Sequence, residues 1–125
     1  MSLYTYAATI VRVIDADSLV VNLDYGRHHW ELDAKHRLFG CNSRGLEEPG
    51  GLEARDNLMA LLPVGRIFIL RSLKPYKYGD EYMCSITLPG GEDLVTRLIA
   101  EGFAIAWNGL GPKPVPPWPR VIVGQ

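Results

Sequence analysis

Thr5-Tyr6-Ala7-Ala8-Thr9-Ile10-Val11-Arg12-Val13, then Ile14-Asp15-Ala16-Asp17, then Ser18-Leu19-Val20-Val21-Asn22-Leu23 is the stretch on which the fold turns. Two runs rich in Val, Ile, Leu and Thr flank a short acidic segment of turn formers, so they read as two strands joined by a turn. Asp24-Tyr25-Gly26 supplies the next turn, and a third strand runs from His29-Trp30-Glu31-Leu32 through Asp33-Ala34-Lys35 towards His36-Arg37-Leu38-Phe39. From Gly40 to Gly51 the chain is polar and rich in Gly and Pro, which marks an irregular loop of the kind that carries function.

Further along, Ala54, Leu58, Leu61 and Leu62 recur at helical spacing, so Leu52 to Leu62 is a helix that Pro63 and Gly65 stop. Arg66-Ile67-Phe68-Ile69-Leu70-Arg71 is a continuous apolar run between charges and reads as a strand buried on both faces. Tyr82 to Leu88 is another strand, and Asp93 to Glu101 a second helix that Gly102 ends. This order predicts a mainly β (α+β) fold, a five-stranded Greek-key barrel of the oligonucleotide-binding (OB-fold) type with two or three flanking helices. Residues 1–110 form that domain and residues 111–125 a proline-rich tail.

At 125 residues, 47% of them apolar and 22% charged, the composition is that of one globular domain. No basic-then-apolar leader and no run long enough to span a bilayer is visible, so a cytoplasmic protein with no membrane partner is expected. Cys41 and Cys84 have no paired spacing and read as reduced thiols. A net charge of −1 gives little overall attraction for DNA or RNA, so any such contact needs a local patch, for which Arg66, Arg71, Lys74 and Lys77 are the candidates.

Five fragments in order, Val13-Ile14-Asp15-Ala16-Asp17-Ser18, Arg37-Leu38-Phe39-Gly40, Gly50-Gly51-Leu52-Glu53-Ala54, Lys77-Tyr78-Gly79 and Leu98-Ile99-Ala100-Glu101-Gly102-Phe103-Ala104, resemble the staphylococcal nuclease (thermonuclease) family. The resemblance covers roughly residues 8 to 107 and implies the OB-type barrel together with calcium-dependent cleavage of DNA or RNA. It implies Asp17 as the first metal carboxylate, with Asp15 just before it, and Arg37 as the first of two phosphate-holding arginines. Asn42 and Ser43 fall on the other metal-binding positions. Lys77 and Tyr78 fall on the nucleotide site, with Lys74 beside them on the same exposed loop.

The resemblance breaks where catalysis is demanding. Asn42-Ser43-Arg44-Gly45 stands where the family has Asp-Thr-Pro-Glu, so one ligand loses its charge and Gly45 cannot act as a base. Asp80 stands at the second arginine and would repel a phosphate. General base assistance contributes about 10² to 10⁴ in rate and a phosphate-clamping arginine about 10³ to 10⁵. Fewer anionic ligands also weaken calcium, so a bound Ca2+ is expected to be held weakly.

Two functions follow from this pattern. The first is a nuclease-like domain with a degraded catalytic set that binds a nucleic acid or protein. The second is an active Ca-dependent endonuclease with a rearranged loop, in which Glu47 or Glu48 replaces the missing glutamate and Arg44 the missing guanidinium. Read without the resemblance, Asp15 and Asp17 are turn formers, Arg37 a salt-bridge partner at the barrel end, and His28, His29 and His36 surface histidines. Trp30, Phe39, Phe68, Phe103 and Trp107 read as core, and the tail either straps Trp118 onto the barrel or offers Pro114-Val115-Pro116-Pro117 to a protein partner through PxxP spacing.

Overall fold

A computed structural model describes residues 4–76, 80–108 and 110. The expected tail, Lys77, Tyr78 and Trp118 lie outside the described residues. β1 (Thr5–Asp15), β2 (Ser18–Asp24) and β3 (Trp30–Leu38) form an antiparallel meander, followed by β4 (Gly40–Ser43) and α1 (Gly51–Leu61). β5 (Ile67–Pro75), β6 (Tyr82–Thr87), α2 (Leu94–Ala100) and β7 (Ala104–Trp107) complete the order. Five strands close a mixed barrel in the order β1-β2-β3-β6-β5, antiparallel throughout except where β3 runs parallel to β6. With its two flanking helices this is the OB-like architecture that the element order predicts. Among the described residues, no helix is long and apolar enough to cross a membrane.

Alternation along the strands builds the core. Ile10, Leu19, Leu38, Leu70 and Ile86 point inward from five barrel strands and meet Leu58 of α1 and Leu94 and Leu98 of α2, each nearly or wholly removed from water. Burying one such side chain stabilises by roughly 1.5–3 kcal/mol. Asp93 starts α2 by accepting the Thr96 N–H on its carboxylate at 3.0 Å, which satisfies a donor the first helical turn leaves without a partner.

Three expectations need correcting. Part of the predicted loop is strand, because Gly40 to Ser43 pairs antiparallel with β7 in a second, two-stranded sheet. β5 is buried on one face only: Phe68 and Leu70 are inside while Ile67 and Ile69 are 67% and 56% exposed. Trp30 is half exposed and His36 is buried, the reverse of their predicted places.

That reversal has a local cause. Val21 pairs with Ala34 and Leu23 with Glu31, so β3 carries one residue more than β2 between these pairs. The extra residue forms a bulge at Asp33, whose φ of 54° is left-handed and whose N–H donates to Asn22 Oδ1 at 2.9 Å. The bulge changes the phase of the strand. Ala34, His36 and Leu38 face the core beyond it, while before it Glu31, opposite Leu23, is exposed and lines a surface cavity.

Candidate functional site

The β1–β2 turn, the end of β3 and the middle of β4 bring Asp17, Arg37 and Asn42 together. Asp15 Oδ1 accepts the Asp17 N–H at 3.2 Å, a side-chain turn that fixes the direction of the next carboxylate. The Leu38 N–H donates to the Asp17 carbonyl at 2.9 Å and ties β3 to that turn. Gly40 then reverses the chain at φ 97°, a conformation that costs glycine little, and β4 carries Asn42 back beside Arg37. Pairing of Asn42 with Ile105 of β7 holds it there.

One guanidinium nitrogen joins the three residues. Arg37 Nη2 donates to Asp17 Oδ2 at 3.0 Å and to Asn42 Oδ1 at 3.2 Å, while the Ser18 hydroxyl donates to Asp17 Oδ1 at 3.3 Å. The guanidinium carbon lies 4.7 Å from the centre of the Tyr76 ring, a cation–π contact. Arg37 Nε–H is buried without a hydrogen-bond partner. Burial pushes the Asp17 carboxyl up to about 7, with Asp15 adding to the rise and Arg37 opposing it.

The two oxygens that the resemblance assigns to calcium, on Asp17 and Asn42, are therefore both engaged by Arg37. A hard divalent cation needs several anionic or carbonyl oxygens converging on an open centre. Here a positively charged side chain occupies the space between them, so the residues present do not fit the ion unless Arg37 is displaced. Among the described residues, no group of three or more His, Cys, Asp or Glu side chains is arranged to hold a metal.

The remaining predicted residues are placed as follows. Ser43 is buried in β4 beside Asn42. Glu48 turns onto its own loop, where Oε1 accepts the Gly45 N–H at 3.0 Å, and a Cβ built on Gly45 would lie 3.0 Å from Glu47 Oε1. Both glutamates thus fold around the Gly45 turn. Arg44 is buried and presents no guanidinium to solvent. Lys74 is exposed but lies in β5, paired with Met83, and not on the expected loop; its ammonium is 5.4 Å from the centre of the Phe39 ring.

Sequence reasoning missed Tyr76 and Glu81. They flank the Lys77–Gly79 segment, and the Tyr76 N–H donates to the Glu81 carbonyl at 2.8 Å. The Glu81 carboxyl is raised above its ordinary value by burial, lowered by Arg37, and raised again by Asp15 and Asp80. Arg37 accordingly has two carboxyl groups within reach, those of Asp17 and Glu81. The available signal was their position, either side of the motif that resembles the nucleotide-binding segment.

Cys41 and Cys84 are buried free thiols, and burial pushes Cys41 up to about 12 and Cys84 higher still, so neither is poised as a nucleophile. No protein-family model matches the chain, and no curated protein matches it significantly.

Proposed function

We propose that this chain is a staphylococcal-nuclease-like barrel that has lost metal-dependent phosphodiester cleavage and serves as a binding module. The observation that carries this reading is the double hydrogen bond of Arg37 Nη2 to Asp17 and Asn42. In the reaction the resemblance implies, an arginine is needed for the phosphate and the carboxylate for the metal. With each satisfying the other, neither is offered to a substrate.

Electrostatics support a protein partner over a nucleic acid. Glu81 lies within electrostatic reach of Arg37, and Asp15 and Asp80 lie within reach of Glu81, so carboxylates crowd the side from which a phosphate would approach, and a local negative potential repels a polyanion. Calcium, if it binds at all, must compete with a guanidinium already in place.

Labelled single-stranded DNA, duplex DNA and RNA incubated with the protein and calcium test this, against EDTA and against Asp17→Ala purified identically. Cleavage no greater than in the Asp17→Ala control is expected. Calcium-dependent cleavage that Asp17→Ala abolishes would overturn the proposal and establish the rearranged enzyme.

A further inference from the structure

Four of the six tyrosines in the chain converge on one cavity. Tyr4 precedes β1, Tyr6 lies in it, Tyr25 follows β2, and Tyr82 opens β6; with the carboxylates of Glu31 and Asp80 they line a space of about 400 Å³. That volume lies in the range of roughly 300–1,000 Å³ typical of small-molecule sites. Tyr4, Tyr25 and Tyr82 are 66%, 45% and 48% exposed, so they are not there to fill the core.

The walls are held in place by specific contacts. Tyr6 and Tyr25 meet edge to face with centroids 4.9 Å apart. Tyr25 donates its hydroxyl to Glu31 Oε1 at 2.5 Å, and burial together with that carboxylate pushes the phenol up to about 12, so it stays a neutral donor. Tyr4 sits at φ 61°, a left-handed conformation that strains a bulky residue, and its carbonyl accepts the Ser72 N–H at 2.9 Å. The bulge at Asp33 is what turns Glu31 towards the cavity. Backbone distortions at both edges of one cavity are features that recur next to binding sites.

The chemistry of this lining selects a cation. Aromatic faces carry negative charge density that attracts a weakly hydrated ammonium, and two carboxylates strengthen the attraction while repelling phosphate. Lys35 offsets one of the two carboxylates, and His36, whose pKa burial lowers, adds no charge near neutral pH. We propose that this cavity binds a methylated ammonium cation, the head of a trimethyllysine side chain or of a free quaternary amine. The inference does not depend on whether the Arg37 cluster is silent, because Asp80 is the one residue invoked for both and the cavity rests on Tyr4, Tyr6, Tyr25, Tyr82 and Glu31.

Calorimetric titration of the full chain tests it with three probes: a capped trimethyllysine, its uncharged isostere with carbon in place of the ammonium nitrogen, and choline. The capped trimethyllysine is expected to bind at least about tenfold more tightly than the isostere, because the attraction is to charge and not to methyl groups. Tyr25→Ala and Tyr82→Ala are expected to abolish that difference, whereas Tyr82→Phe, which keeps the ring, preserves it. Circular dichroism of each variant separates loss of the site from loss of the fold. Tighter binding of trimethyllysine than of choline identifies a protein source, and the reverse a free amine; either supports the proposal. Equal affinity for the isostere, no binding of trimethyllysine or choline at millimolar concentration, or displacement of the cation by single-stranded DNA overturns it.

Discussion

Replacing Arg37 by methionine separates the charge of this side chain from its bulk, and the consequence depends on pH. Below its midpoint of about 7 the Asp17 carboxyl is protonated in the folded protein, so at about pH 5 the variant loses hydrogen bonds and the stack on Tyr76 but no ion pair. A loss on the order of 1–2 kcal/mol is expected there. Removing the guanidinium also removes what opposes the rise of Asp17, so the midpoint in the variant lies higher than in the parent. At about pH 8.5 the parent carboxylate ionises beside Arg37 while the variant holds its proton more tightly, and each unit by which the variant's midpoint exceeds the parent's adds up to about 1.4 kcal/mol to the loss. The parent has its own slope. Because the folded midpoint lies above the unfolded value of 3.8, the contribution of Asp17 to stability is complete below about pH 4 and is lost as the pH rises through about 7. Urea denaturation of both proteins at the two pH values measures the difference. An equal loss at acid and alkaline pH would refute the coupling between Asp17 and Arg37 on which the proposed function stands.

Gly51→Ala tests the loop that carries Glu47 and Glu48. In an ordinary helical position this change stabilises by about 0.5–1 kcal/mol, but here the new Cβ would lie 2.0 Å from the Gly45 carbonyl oxygen, so a loss of about 1–3 kcal/mol is expected. Thermal denaturation reads the sign directly, and a raised Tm would mean that Gly45 and Gly51 do not approach so closely. Asp93→Ala removes the cap whose carboxylate accepts from both the Thr96 N–H and its hydroxyl at 3.0 Å, and should cost about 1 kcal/mol in urea denaturation. Asp93→Asn keeps an acceptor and should recover most of that loss; no recovery would assign the effect to charge.

The parts of the fold legible in the sequence are those decided by neighbours along the chain. Asp15 to Ser18 is a turn whatever surrounds it, Pro63 ends α1 just beyond Leu62, and Asp93 caps α2 through a residue three positions away. β4 and β7 were not legible, because Gly40-Cys41-Asn42-Ser43 is strand only by virtue of a partner far along the chain. β5 misled in another way: Ile67 to Leu70 is apolar at every position, and such a run does not tell a strand covered on both faces from one with an uncovered face. At the site, it was the family resemblance, and not the residues by themselves, that implied a common neighbourhood for Asp17, Arg37 and Asn42. It could not say that Arg37 would turn onto both acceptors, since side-chain geometry decides that and spacing does not. The cavity was invisible for a similar reason, because its tyrosines come from separate strands and the bulge that directs Glu31 leaves no motif.

The pairing of β4 with β7 also bears on the order in which the molecule is made. Synthesis supplies Asp17 and Arg37 early, and the hairpins of the meander can dock them as soon as β3 has emerged. Cys41, opposite Ala106, has to wait for β7, and closing so long a loop slows the step without greatly weakening its product. A chain cut after Phe103 would retain every barrel strand yet remove the strand with which Asn42 pairs. Asp17 and Arg37 can thus meet before β7 is made, whereas the Asn42 arm of the cluster depends on it.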